Sequence, residues 1–435
     1  GLPRRARKNL QMNPAATRSR SQLEKAKSKA TTPRLLPCLS RQKKFGLAPC
    51  GVHVPPWCTM NAEHLEDGTS APRPTVRVEL GERSYEIRLY WDEPQALARD
   101  LAPFCPEGAF VVSNPTIWQL HGAAFESALT LAGIRFVVEL IGDGERFKTL
   151  ETAARLYDRL IAERFSRRAC IVAFGGGVVG DVAGFVAATF MRGVAFVQVP
   201  TTVVAMVDSA VGGKTGVDHP RGKNLIGAFW QPRLVAGDLA YLRTLDDHNL
   251  RGGFAEVIKY GVIADAEFFA WLEAHIERAV QLDPKALRHV VQRSCEIKAQ
   301  VVGADERETG LRAILNYGHT FAHAIESCGE YRERQFHGQA VAIGMVAAAE
   351  TALRMGLFSP EQAARQRNLI ERAGLPTRIP TELAAEDLLD RMSSDKKVAG
   401  GRLRFVLPVR IGEVALRNDV PPELILSVLR KLGAR

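Results

Sequence analysis

The stretch from Cys170 to Gly227, and above all Gly175-Gly176-Gly177-Val178-Val179-Gly180-Asp181, constrains the fold of this chain more than any other. A short apolar, β-prone run (Cys170 to Phe174) enters it, and a small-residue helical run (Val182 to Phe190) leaves it. The glycines therefore sit at a strand-to-helix turn. Backbone N–H groups approach a pyrophosphate closely at such a turn, and the helix N-terminus adds its dipole. Taken alone, a G-x-G-x-x-G is a weak sign. About 20 residues on, where an acidic residue would grip a ribose, the chain has Gln198-Val199-Pro200-Thr201-Thr202 instead.

Downstream come Val207-Asp208-Ser209, Gly212-Gly213-Lys214-Thr215 and Gly222-Lys223-Asn224-Leu225-Ile226-Gly227, which read as loop-like segments rich in lysine and glycine. Gly213-Lys214-Thr215 resembles the end of a triphosphate-binding loop. That motif needs a glycine where Asp208 stands, so a nucleotide triphosphatase is set aside. Taken together, these segments resemble the 3-dehydroquinate synthase family, and the likeness runs from about Thr75 almost to the C-terminus.

The chain has 435 residues with a formal net charge of +10, which suggests a nucleic-acid partner. The distribution excludes that for the body. Residues 1–59 carry thirteen Lys/Arg against the single acid Glu24, and the remainder has 45 Lys/Arg against 47 Asp/Glu. Residues 1–72 read as a disordered basic extension. Three readings of it stay open: sequence upstream of a natural start at Met60, an organelle transit peptide, or a basic arm for nucleic acid. Seven scattered cysteines with no C-x-x-C pair argue for a reducing compartment, and no run approaches the ~20 apolar residues of a membrane span. A soluble cytoplasmic protein is expected, organellar if the extension is a transit peptide.

From residue 73 to 245, strand-like and helical patterns alternate. Val76–Leu80 and Tyr85–Tyr90 read as a hairpin, Ala109–Ser113, Phe136–Ile141, Cys170–Phe174 and Phe196–Val199 as strands, and Leu150–Glu163 as a helix. Alternation predicts an α/β domain with an open, Rossmann-like parallel sheet, which binds dinucleotides at the carboxyl ends of its strands. From 246 to 435 the pattern is mainly helical, with stretches at Gly253–Ile263, Ala266–Val280, Pro284–Val302, His319–Ser327, Gly338–Met355 and Pro360–Ala373. A late strand pair is expected at Leu403–Val409 and Glu413–Leu416. A cleft between two such domains suits a small molecule.

Glu256 and Lys259 share a helix face, His319 and His323 lie one turn apart, and His337 follows a short polar loop. Spacing alone makes His319 and His323 both metal ligands. Thr320 excludes the H-E-x-x-H of a metalloprotease. The family resemblance implies otherwise: Glu256, His319 and His337 hold Zn²⁺ (or Co²⁺), and His323 faces substrate. Where the family commonly has Glu after His-Gly, this chain has Gln339, which would alter metal affinity if it orients His337.

The resemblance also implies that NAD is bound by Asn114, Glu145, Lys148, Gly176, Gly177, Val178, Asp181, Thr201, Thr202, Lys214 and Lys223. The implied substrate is 3-deoxy-D-arabino-heptulosonate 7-phosphate, met by Arg192, Lys223, Asn224, Lys298, Arg312, Asn316, Lys396 and Lys397. A buried phosphate and carboxylate need such fixed cations. Asp208, Lys214, Lys259 and His323 are the catalytic candidates for proton handling and leaving-group stabilisation. The implied reaction oxidises the sugar, expels phosphate, reduces the product and closes the ring with no net use of NAD. A homodimer is implied, with Arg192 reaching the neighbour's site. The rival readings are other sugar phosphate cyclases of the 2-deoxy-scyllo-inosose or valiolone type, a polyol dehydrogenase resembling glycerol dehydrogenase, and a nucleic-acid-binding protein acting through the basic arm.

Overall fold

The computed structural model describes residues 75–328, 337–394 and 403–435. The readings made for the extension, Lys396 and Lys397 lie outside the described residues. Nine strands and four helices come first: β1 (Thr75–Val78), β2 (Tyr85–Tyr90), α1 (Pro94–Leu101), β3 (Ala109–Ser113), α2 (Pro115–Leu131), β4 (Phe136–Leu140), α3 (Leu150–Ala162), β5 (Cys170–Gly175), α4 (Gly177–Thr189), β6 (Ala195–Pro200), β7 (Lys214–His219), β8 (Gly222–Phe229) and β9 (Leu234–Asp238). Seven of these strands form one sheet in the order β1-β2-β9-β6-β5-β3-β4. Only the β1–β2 pair is antiparallel.

The period-2 rule explains why the central strands read as unbroken apolar runs. Cys170, Val172 and Phe174 of β5 enter one core, with Leu97 and Leu101 of α1 and Phe125 and Leu129 of α2. Ile171 and Ala173 enter another, with Leu156 and Leu160 of α3 and Val182 and Val186 of α4. Both faces of the sheet are therefore covered by helices, giving the expected Rossmann-like α/β arrangement.

Two elements differ from the sequence reading. Of the segments read as loop-like, Lys214-Thr215 and Gly222 to Gly227 lie in an antiparallel hairpin, β7–β8, separate from the main sheet, whereas Val207-Asp208-Ser209 lies in a short helical segment, Ala205–Ser209. Gly216 and Gly227 face each other across it, and a Cβ on Gly227 would lie 2.2 Å from the Thr215 carbonyl oxygen. The glycines that suggested a loop serve close approach of two strands. The other element is β9, which sits between β2 and β6 and joins the hairpin end of the sheet to its parallel block. Its short run with Gly237 gave no periodic signal.

Eight helices and a strand pair follow: α5 (Asp247–Ala264), α6 (Ala266–Val280), α7 (Pro284–Ala304), α8 (His319–Glu326), α9 (His337–Arg354), α10 (Pro360–Arg372), α11 (Ala385–Ser394), β10 (Phe405–Arg410), β11 (Glu413–Arg417) and α12 (Pro422–Lys431). Asp246, Asp265, Asp283 and Ser359 cap α5, α6, α7 and α10 by accepting from backbone N–H groups of the first turn. α5 begins six residues before the expected Gly253. The Asp246 cap starts it, and the Gly252-Gly253 pair lies inside it.

That pair is where the helices meet most closely. α5 is buried from Gly252 to Ile263 and α9 from Gly338 to Ala352, so each is wrapped by protein on all sides. A Cβ on Gly338 would lie 2.0 Å from the Gly252 carbonyl oxygen, and one on Gly253 would lie 2.3 Å from Val203 Cβ. Because backbone cannot yield as a flexible side chain can, Gly338→Ala is expected to cost about 2 kcal/mol or more. Denaturant unfolding would measure it, and a variant as stable as the parent would show that α5 and α9 separate freely.

Candidate active site and metal centre

The chain passes from β3 outward to β4, then returns to the other side of β3 as β5. The crevice at the carboxyl ends of β3 and β5 is thus a topological switch point, where doubly wound sheets bind ligands. β3 delivers Asn114, whose side-chain oxygen accepts from the Ile117 N–H and caps α2. β5 delivers the glycine turn. Gly176 has φ −80°, an ordinary value, so glycine is needed here for space and not for conformation. A Cβ on Gly176 would meet Thr202 at 3.3 Å, one on Gly177 would meet Ser209 at 3.2 Å, and one on Gly180 would meet the Gln198 side chain at 2.8 Å. Gly180 therefore seats α4 on β6. No side chain caps α4, which leaves the N–H groups of its first turn, beginning at Gly177 and Val178, for an anion. Thr201 donates its N–H to the Gly175 carbonyl, and its buried hydroxyl has no partner among the described residues; the Thr202 hydroxyl accepts from the Ala205 N–H.

Beside this turn Lys148 is buried, with Nζ 2.6 Å from Asp181 Oδ2 and 2.5 Å from Asn224 Oδ1. Burial raises the pKa of Asp181 to about 6, against the pull of Lys148. Asn224 holds a left-handed backbone (φ 57°) at the closed end of the hairpin, where its N–H donates to Asp218. Lys223 and Glu145 lie 3.5 Å apart. Glu145, Lys148, Asp181, Lys223 and Asn224 thus gather at the hairpin tip. Lys214 starts β7 at the far end of the hairpin and instead pairs with Glu308, which also accepts from Asn316 at 2.6 Å.

A second group centres on α5. Glu256 is fully buried, and its Oε1 lies 3.5 Å from His319 Nε2 and 3.4 Å from His337 Nε2. One ligand atom from each of the three falls within 4.8 Å of the others. Glu256 Oε2 is close to Lys259 Nζ as an ion pair. A buried carboxylate oxygen facing two imidazole nitrogens fits a zinc or cobalt ion. Burial alone would raise the pKa of Glu256, yet Lys259 and the histidines hold it at about 2. Burial drives His319 down to about 4. It opposes charge on His337 as well, but hydrogen bonds with Glu256 and Glu326 outweigh it and raise that pKa to about 10.

The outer ring nitrogens are also held. His319 Nδ1 is 3.1 Å from the Tyr317 carbonyl oxygen, and His337 Nδ1 is 3.3 Å from Glu326 Oε1. Glu326 escaped the sequence reading, although it lies on the face of α8 that carries His319 and His323. His323 is exposed and stays outside the converging trio, with its ring centroid 5.6 Å from that of His319. Gln339 does not address His337. Its amide lies 2.9 Å from the His248 carbonyl oxygen and 3.2 Å from His248 Nδ1, tying the start of α9 to α5.

The third group joins the second through α5. Tyr260 donates its hydroxyl to Asp208, 3.1 Å away, and Lys298 Nζ lies 2.6 Å from the same oxygen. Burial would raise the Asp208 pKa, but Lys298 and Lys259 hold it well below the usual carboxylate range. For Lys298, burial lowers the pKa to about 8 despite Asp208. Arg312 is 2% exposed; it donates to the carbonyls of Glu306 (2.5 Å) and Gly212 (3.1 Å), and its Nε has no partner among the described residues. Arg192 joins none of these groups. It follows α4 at the opposite, amino edge of the sheet, exposed, with φ 66°, and has no hydrogen-bond or ion-pair partner among the described residues.

Comparison with known proteins agrees with this geometry. Residues 138–252 match the family described as 3-dehydroquinate synthase N-terminal, and residues 253–398 match 3-dehydroquinate synthase C-terminal. The 3-dehydroquinate synthase of a Picosynechococcus strain is 49% identical over 358 residues, 82% of this chain and 98% of the relative. Among solved structures, a 2-deoxy-scyllo-inosose synthase complexed with carbaglucose-6-phosphate, NAD⁺ and Co²⁺ superposes with a TM-score of 0.75 at 27% identity, covering 82% of this chain and 99% of that one. The 2-epi-5-epi-valiolone synthase of Streptomyces hygroscopicus, with NAD⁺ and Zn²⁺ bound, gives 0.72 at 26%, covering 86% and 99%. Identity near one half along almost the full length of a synthase, with both halves of the family matched in order, leads to one conclusion: this chain belongs to the 3-dehydroquinate synthase family.

Proposed function

We propose that the chain is an NAD- and divalent-metal-dependent carbon–oxygen lyase that converts 3-deoxy-D-arabino-heptulosonate 7-phosphate to 3-dehydroquinate and phosphate in the shikimate pathway. The observation that carries this is the convergence of Glu256, His319 and His337 beside buried Lys259, Lys298 and Arg312. Its identity to a synthase, 49%, exceeds the 27% and 26% it has to the two cyclases. That favours the heptulosonate over a sugar phosphate lacking a carboxylate.

In this reading the two bound cofactors supply reversible hydride transfer and polarisation of the sugar hydroxyls. The glycine turn and the Lys148–Asp181–Asn224 network, with Asn114, Glu145, Thr201 and Thr202, hold the dinucleotide. Glu256, His319 and His337 hold the metal. Lys298, Arg312 and Asn316 address the substrate carboxylate. Lys214, Lys223 and the pair Lys396 and Lys397 address its phosphate. Asp208, whose low pKa keeps it ionised, orients Lys298 and Tyr260, while Lys259 and His323 handle protons. The nucleotide-binding part ends near residue 245 and the metal- and substrate-binding part follows it. The working form is a cytoplasmic homodimer, in which Arg192 reaches the site of the second copy. An active, verified monomer would refute that assembly.

Two measurements test the proposal. Phosphate release from the heptulosonate phosphate should need only catalytic NAD⁺, stop on chelation, return with Zn²⁺ and leave no accumulating NADH. Stoichiometric NADH from simple polyols, with no phosphate release, would point to a dehydrogenase instead. Lys298 supplies the pH test: it is cationic below about pH 8 and neutral above it. kcat/KM is therefore expected to fall as pH rises through 8, and Lys298→Arg, which stays charged, should lose that fall while working more slowly throughout. An unchanged alkaline limb in the arginine variant would remove Lys298 from substrate binding.

A further inference from the structure

Tyr317 joins α9, which carries His337, to α10. Its side chain is fully buried, with the hydroxyl 2.8 Å from Gln366 Oε1 on α10 and 3.2 Å from the Met345 carbonyl oxygen on α9. Gln366, also fully buried, donates its amide to that same carbonyl at 3.0 Å. Three polar groups thus satisfy one another inside an apolar core.

The other end of Tyr317 faces the site. Its carbonyl oxygen lies 3.1 Å from His319 Nδ1. A carbonyl only accepts, so the contact places the proton on Nδ1 and the lone pair on Nε2, the nitrogen that faces Glu256. Gly318, with φ 80°, makes the turn between the two residues, and a Cβ on it would lie 2.9 Å from Met345 N and Cγ. Residues 317 and 318 therefore dock on one turn of α9. Met345 is eight residues along α9 from His337, a span of about 12 Å.

We propose that Tyr317 and Gln366 are positioning residues for metal binding: their clasp on Met345 fixes the Tyr317 carbonyl, and through it the tautomer and direction of His319 relative to His337. The proposal rests on the reading of Glu256, His319 and His337 as a divalent-metal site. Phenylalanine at 317 fills the same space without the hydroxyl, and methionine at 366 fills the space of glutamine while leaving the Tyr317 hydroxyl its Met345 partner.

The test uses the full chain, with Zn²⁺ affinity measured by competition against a chromogenic chelator, the visible absorption spectrum of the Co²⁺-loaded protein, and Tm. Tyr317→Phe is expected to weaken Zn²⁺ binding by roughly tenfold and to change the cobalt spectrum. Gln366→Met should give a smaller loss in the same direction, and the double variant should fall short of the product, because both changes break one clasp. If Tyr317→Phe does not fold, Gln366→Met decides by the same criteria. A lowered Tm with Zn²⁺ affinity within twofold of the parent and an unchanged cobalt spectrum would overturn the proposal and leave a purely structural clasp. Failure of the parent chain to bind either ion would overturn the metal reading itself, a separate outcome.

Discussion

The contact of the Gly252 carbonyl with the α carbon of Gly338 is the constraint on which the site depends. Glu256 lies one turn beyond Gly252 on α5, and His337 is the neighbour of Gly338 on α9. Any side chain at the crossing would hold the two axes apart, and with them the carboxylate and the imidazole. The adjacent Gly253 lets the same helix press against Val203, just after Thr201 and Thr202 at the carboxyl edge of the sheet. One helix turn without side chains thus brings the nucleotide end and the metal end together, within a core that runs from β1 and β2 through α5, α7 and α9.

Around that turn the protein buries an unusual set of charges: Glu256, Lys259, Lys298 and Arg312, beside Asp208. Burying ion pairs of this kind seldom stabilises a fold relative to apolar packing. Their arrangement makes sense as preorganisation. Each cation is oriented before an anion arrives, by Asp208 for Lys298 and by two backbone carbonyls for Arg312. Little reorganisation is then needed when charge develops in the site.

Much of the fold was legible in the sequence because the central strands are buried on both faces and several of the long helices start at an Asp or Ser cap. Two of the failures share a cause. β7–β8 and the start of α5 contain glycine used for close approach between backbones, and sequence alone cannot distinguish that use from a turn; β9 was missed because it is a five-residue strand without a periodic pattern. At the site, helical spacing offered His319 with His323, whereas the trio needs a histidine from another helix, a choice that only the family likeness favoured in advance. Glu326, Glu308 and Tyr260 were not singled out because a charge partner becomes visible only once the helices are packed. Gln339, which would have altered metal affinity had it oriented His337, instead bonds His248 on α5.

The separate hairpin has a consequence for cooperativity. Among the described residues β7–β8 shares no strand pairing with the seven-stranded sheet; it is held where Thr215 packs into the space left by Gly184 on α4, where Val217 enters the core with α3 and α4, and where its two ends make polar contacts. Separating its two strands would therefore break no pair of the main sheet. Opening would release Asn224 from Lys148 at one end and Lys214 from Glu308 at the other in a single event. A ligand that ordered one end would lower the entropic cost of ordering the other.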